Sequence, residues 1–205
     1  DYVSDWARTV QPGAGKDRGW TLLPEVGDEV LVCFEQGDFG RPNVIGGLFN
    51  GIDTMPTGEP ALVGSMSGSI DRRSLVSRRG HRLDLLDLDG LTEGIRLATS
   101  GNKLLISLDA VDTKVTVHAD GQVLVEGKKG VTIDADVSDL NLKGGKITLT
   151  ATKGVQVDGG VGDVSVKSDG QLSLTGMSAK LESRLTTEVK AGAICSVTGA
   201  LVKIN

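Results

Sequence analysis

Three groups of residues in this chain have types and spacings that invite chemistry. The stretch Val10-Gln-Pro-Gly-Ala-Gly-Lys-Asp-Arg-Gly-Trp20 is glycine-rich and basic, the composition of a phosphate cradle. A phosphate loop needs glycine, four residues, then Gly-Lys and a hydroxyl that holds the metal. Val10 stands where the first glycine belongs and Asp17 where the hydroxyl belongs. A carboxylate there repels phosphate. The loop therefore reads as a connection between strands whose glycines permit positive φ, with Trp20-Thr-Leu-Leu as the strand that follows. The second group is the two histidines, His81 and His118, with Cys33 and Cys195. The cysteines are far apart and no Cys-x-x-Cys or His-x-x-x-His pattern occurs, so no zinc site is expected. Each cysteine lies in an apolar strand-like run and reads as a buried free thiol. His118, in Val115-Thr-Val-His, alternates away from the valines and reads as exposed. The third group is the acids Asp134, Asp136, Asp139 and Asp158, the raw material of a glycosidase or a calcium site. They are scattered, no aromatic platform accompanies them, and the glycine-aspartate nonapeptide of calcium-binding repeats is missing. No catalytic, cofactor or metal residue is assigned.

The elements that would have to position such groups fall into two kinds. All six aromatics (Tyr2, Trp6, Trp20, Phe34, Phe39, Phe49) and all five prolines (Pro12, Pro24, Pro42, Pro56, Pro60) lie in the first 60 of 205 residues. The net charge of -5 argues against nucleic acid as a partner. Arg72-Arg73 and Arg78-Arg79 read as solvated or inter-subunit pairing charges. No stretch resembles a signal peptide, and no apolar run approaches the ~20 residues of a membrane span. The chain begins Asp-Tyr-Val, which reads as a fragment or a processed product.

In the first part, Trp6–Val10, Glu29–Glu35 and Asn43–Phe49 alternate, and Gly, Pro, Asn and Asp separate them. That is the pattern of a small antiparallel barrel. From Ile106 the pattern changes to apolar-x-apolar-x-small, recurring about every eight residues. The first apolar positions are Ile106, Val115, Val123, Val131, Leu140, Ile147, Val155, Val164, Leu172, Ala179, Thr187, Cys195 and Val202. Their partners two residues on are Leu108, Val117, Val125, Ile133, Leu142, Leu149, Val157, Val166, Leu174, Leu181, Val189, Val197 and Ile204. The third position is always small, from Ala110 to Gly199. Period two within each octad puts all three on one face, and a repeat of strand plus corner is the mark of a β-solenoid. Small residues suit a vertex where the backbone turns. Two windings fit the spacing. One chain could make about four coils, a stub of roughly 20 Å, whereas three intertwined chains would make twelve layers, roughly 55–60 Å. All octads look alike and no cap is visible at either end, which favours three chains, because an open solenoid edge invites pairing. An isolated octad has nothing to bury its face against, so folding and trimerisation are expected to be one event.

The stretch "WARTVQPGAGKDRGWTLLPEVGDEVLVCFEQGDFGRPNVIGGLFNG", Trp6 to Gly51, resembles the OB-fold module of the central spike proteins of contractile injection machines. That family comprises VgrG of type VI secretion, the hub-spike proteins of contractile phage tails and the spikes of phage-like injection particles. Ser77-Arg-Arg-Gly-His81-Arg-Leu-Asp84 resembles the segment leading from that module into the needle, which implies a structural place for His81 at the junction. The resemblance implies an all-β chain: an OB-fold over 1–60 (without its first strand or the hub domain), a junction over 61–94 leading into the needle, and a triangular, intertwined trimeric β-helix over 95–205. The apolar octad residues from Ile106 to Ile204 would then be the trimer core. It further implies a non-enzymatic homotrimer that caps the tube and meets hub and baseplate proteins on its N-terminal side. Lys203, Ile204 and Asn205 would receive a PAAR-type tip protein or an effector. Such a spike is assembled in the bacterial cytoplasm or in a phage-like particle and injected on contraction, to pierce a target envelope mechanically. A receptor-binding fibre or adhesin stalk is the alternative reading, and a polysaccharide-degrading solenoid the third.

Overall fold

A computed structural model describes residues 6–203, so Ile204 and Asn205 lie outside the described residues. The chain divides into two units between Ile133 and Asp134. All regular elements of the described residues are β-strands apart from two short 3-10 turns, in agreement with the all-β expectation.

The first unit carries two sheets. β1 (Arg8–Thr9), β2 (Val30–Phe34) and β3 (Pro42–Gly47) form a three-stranded sheet in the order β1-β3-β2. β1 runs parallel to β3, and β2 antiparallel with a register shift between Leu31 and Val32. Pro42 sits at the first position of β3, where a missing N–H costs no ladder bond. The strand expected at Trp20–Leu23 does not form. Gln11 takes over the pairing there, its side chain accepting from Leu22 N at 2.7 Å and donating to Leu22 O at 3.1 Å.

The second sheet is an antiparallel meander of five strands: β4 (Arg72–Val76), β5 (Arg82–Leu88), β6 (Thr92–Ala98), β7 (Leu104–Asp109) and β8 (Lys114–Ala119). The expected junction at 94–95 falls inside β6, and the first two octads are β7 and β8.

The register sorts this meander into two unlike faces. Leu75, Leu83, Leu97, Ile106 and Val117 are successive cross-strand partners, as are Leu85, Ile95, Leu108 and Val115. These nine side chains share one face, and every one is exposed. The other face carries Arg72, Ser74, Arg82, Asp84, Arg96 and Ser107 together with Val76, Leu86, Ala98 and Leu105, and this face, the more polar of the two, is the covered one. The buried hydrophobic side chains of this sheet are Leu86 (5%) and Ala98 (3%), both on the covered face. A water-soluble sheet normally does the reverse.

In the second unit no strand is assigned among the described residues. Its backbone runs extended between bends. With those just before it, the bends fall at 120–121, 128–129, 136–138, 145, 152–153, 160–162, 169–170, 177, 184–185, 192–193 and 200. They are about eight residues apart, and from Gly127 onward each follows an octad's small position directly. At Gly127 the corner admits no side chain, since a Cβ there would come within 2.2 Å of Gly130 O. Asp134 and Asp158 tighten their corners by accepting from the N–H two residues on, at 2.8 and 2.9 Å. The chain as a whole exposes 19430 Å², about twice the roughly 9,100 Å² that area scaling gives a compact monomer of 21.3 kDa.

Candidate functional site

The glycine-rich loop is a hairpin tip. Gly15 and Arg18 exchange two backbone hydrogen bonds, Gly15 N to Arg18 O at 3.1 Å and Arg18 N to Gly15 O at 3.3 Å, and Asp17 turns between them at φ 56°. The N–H groups of Ala14, Gly15, Arg18 and Trp20 donate within this hairpin.

The histidines are equally occupied. His81 Nδ1 accepts from Ser100 N at 3.3 Å, while its backbone N–H donates to Ser77 Oγ at 3.1 Å, so it ties the β4–β5 turn to the β6–β7 turn. His118 is exposed and lies 3.1 Å from Asp120 Oδ1. Both cysteines are exposed in the chain, against the expectation of buried thiols: Cys33 lies on the exposed side of β2, and Cys195 leads an octad that nothing covers. Among the described residues no group of three His, Cys, Asp or Glu side chains is placed to hold a metal ion. Among the described residues no helix is long and apolar enough to cross a membrane.

The arginines depart from expectation in one place. Arg73 pairs with Asp87 at 2.5 Å and Arg78 with Glu25 at 2.7 Å, both exposed. Arg72, expected to be a solvated or inter-subunit pairing charge, has a side chain only 1% exposed and pairs within its own chain. Its Nε donates to Pro60 O at 2.8 Å, Nη2 to Pro56 O at 3.0 Å and Nη1 to Ser74 Oγ at 2.7 Å. Ser74 Oγ donates in turn to Asp84 Oδ1 at 2.6 Å. Asp84 is fully buried. It lies 3.6 Å from Arg72 Nη1 and 2.7 Å from Arg82 Nε, the latter an ion-pair contact outside hydrogen-bonding angles. Gly58 completes the cluster, since a Cβ there would meet Arg82 Nη2 at 2.7 Å. The cluster clasps residues 56–60 over the polar face of the meander. It has no opening to a substrate. It is a fastening.

What remains available is the apolar face. Ile106, Leu108, Val115 and Val117 stand on it. The later octad residues, Val123, Val125, Val131, Ile133, Leu140, Leu142, Ile147, Leu149, Val155, Val157, Val164, Val166, Leu172, Leu174, Leu181, Val189, Val197 and Val202, are all exposed in the single chain. Sequence reasoning missed five members, Leu75, Leu83, Leu85, Ile95 and Leu97. The alternation in Ile95-Arg-Leu97 was a signal for the last two, but the doublet Leu85-Leu86 blurs it in β5. Leu22, Leu75, Leu83, Leu97, Leu104 and Ile106 line a shallow apolar trough at the upper end of this face. Lys203, the one described residue of the expected tip surface, is exposed.

Comparison with known proteins bears on the first sheet. Residues 1–49 match the family described as the type VI secretion system/phage-baseplate injector OB domain. Seventy-one residues are 39% identical to the type VI secretion system spike protein VgrG1c of Pseudomonas aeruginosa and 41% identical to VgrG1a of the same organism. Over its N-terminal portion the chain is similar to the VgrG spike proteins. Each alignment covers 35% of this chain, which spans only about a tenth of the length of those VgrG relatives (10% and 11%). The match over residues 1–49 spans the β1-β3-β2 sheet as part of an OB domain.

Proposed function

We propose that this chain is the OB collar and needle of a contractile-injection spike, working as an intertwined homotrimer without catalysis. The observation that carries the reading is the inverted meander: its polar face is covered by its own chain and its apolar face is bare. Burying such a face against copies of itself is the most direct way to remove it from water. The octads extend the same demand, because extended segments with no ladder inside the chain need backbone partners from elsewhere. Three chains that each supply one octad per layer satisfy both, with Ile106 to Ile204 inward and the charged residues outward.

The type VI secretion and baseplate relatives supply the setting. The N-terminal side would face tube, hub and baseplate proteins, and Lys203, Ile204 and Asn205 would offer an open layer of strands to a PAAR-type tip protein or an effector. Sheath contraction would drive the spike from the cell or particle into a target envelope. Force would pass along continuous β hydrogen bonds around a dry core, so stiffness is the activity.

Light scattering behind size exclusion tests the reading. A solution mass near three times 21.3 kDa is expected. A stable, soluble monomer would sink the trimeric needle and the piercing role with it.

A further inference from the structure

The octads are interchangeable in their apolar positions, but not in the residue that follows the second of them. That residue alternates away from the apolar face and is exposed wherever it is among the described residues of the second unit. The pairing of Lys180 with Glu182 shows the two outward positions of one octad within reach of each other. From Asp134 onward the series of residues at this position reads Asp134, Lys143, Thr150; Asp158, Lys167, Thr175; Glu182, Lys190, Thr198. It is acid, lysine, threonine, three times over, with a period of three octads. The apolar repeat does not demand such a superperiod.

Three octads make one circuit of a three-sided coil, and the two possible windings give this series opposite electrostatics. A chain winding alone stacks each octad on the third one after it, ~4.8 Å away. Asp134 would then lie against Asp158 and Asp158 against Glu182, with Lys143, Lys167 and Lys190 in a second like-charged column. Like charges at that spacing repel. Three chains winding together place consecutive octads of different copies side by side on each face. Asp134 of one copy then adjoins Lys143 of the next, Asp158 adjoins Lys167, and Glu182 adjoins Lys190. In the last case the other outward position matches as well, because Lys180 adjoins Glu188, which makes a four-charge checkerboard.

We infer that this three-octad charge period is a register code read by second and third copies of this chain. The inference rests on the trimeric reading above and deepens it. Apolar octads that look alike cannot specify alignment, since a slip of one octad leaves the core as well matched as before. The same slip puts acid beside acid and lysine beside lysine, which penalises the wrong alignment. A slip of three restores the charges but strips three layers of strand pairing at each end. Single exposed pairs contribute little, so the effect comes from repetition on every face.

The test is charge reversal in the full chain. Lys143→Glu with Lys167→Glu and Lys190→Glu is expected to lower the trimer's melting temperature by several degrees at low salt. Adding Asp134→Lys, Asp158→Lys and Glu182→Lys restores alternation and net charge, and is expected to recover the loss. A control with the same change in net charge at the bends, Lys128→Glu, Lys129→Glu and Lys153→Glu, is expected to melt near the parent. Raising salt to about 1 M, where the Debye length is ~3 Å, should shrink the difference. An unchanged melting temperature in the first variant overturns the inference, as does an equal loss in the control. A sixfold variant no better than the threefold one overturns it too. Should the threefold variant be insoluble, the mass and melting of the sixfold variant decide. A monomeric parent chain sinks the trimeric reading itself, whereas a trimer indifferent to these charges sinks only the register code.

Discussion

Asp84 is the residue on which the first unit is fastened. Two guanidiniums and a serine hydroxyl converge on it below the accessible surface, and one of those guanidiniums also holds two proline carbonyls of residues 56–60. Charges are tolerated there because each has a partner. Removing one partner leaves the others buried and uncompensated, the costly way to break such a cluster. Asp84→Ala is therefore expected to destabilise the unit by about 3–5 kcal/mol, seen as a fall in the urea midpoint. A midpoint within experimental scatter of the parent would mean that the cluster is solvated. The Arg72-Arg73 doublet carried no hint of this division in sequence, because neighbours in a strand point to opposite faces and only the register shows which face is covered.

At the scale of elements, the meander decides how the chain meets its surroundings. Leu97 sits at the centre of the bare apolar face, paired with Leu83 on one side and Ile106 on the other. On an ordinary exposed surface, Leu97→Ser would leave assembly unchanged and improve solubility. On an interface it removes buried apolar contact from every copy, so the expected outcome is a lower trimer fraction and a lower melting temperature. Light scattering across a dilution series measures it, and an unchanged mass at all concentrations counts against the face as an interface. The octad corners tell the complementary story. The period of eight was legible as a list of apolar and small residues, and the backbone bends where the small residues stand. Small side chains let the backbone turn tightly, and aspartates such as Asp134 and Asp158 hold the turn.

At the scale of the whole molecule, the proposed tip-binding surface comprises Lys203, Ile204 and Asn205. Ile204→Asp is expected to weaken capture of a cone-shaped PAAR-type tip protein while the trimer persists, measured by co-purification of the two. Undiminished capture would place the tip elsewhere. The exposed area, about twice that of a compact chain this size, belongs to the same scale. In the proposed trimer, neighbouring copies would supply the interior that the single chain lacks.

Much of this was decided by sequence alone. Alternation, turn residues and the octad period specify all-β structure and mark which side chains share a face, because strand side chains obey a period of two whatever the tertiary context. The VgrG-like segment was also legible, and so was the glycine-rich loop as a turn, because a phosphate cradle has strict positional demands that Val10 and Asp17 fail. Tertiary structure alone decided which face is covered. It brought Arg72, Asp84 and Arg82 together, joined the first two octads to an antiparallel sheet with residues 72–98, and left the apolar side of that sheet bare. Pairing partners and register are long-range choices, set by which strands meet, and no local period in the chain encodes them.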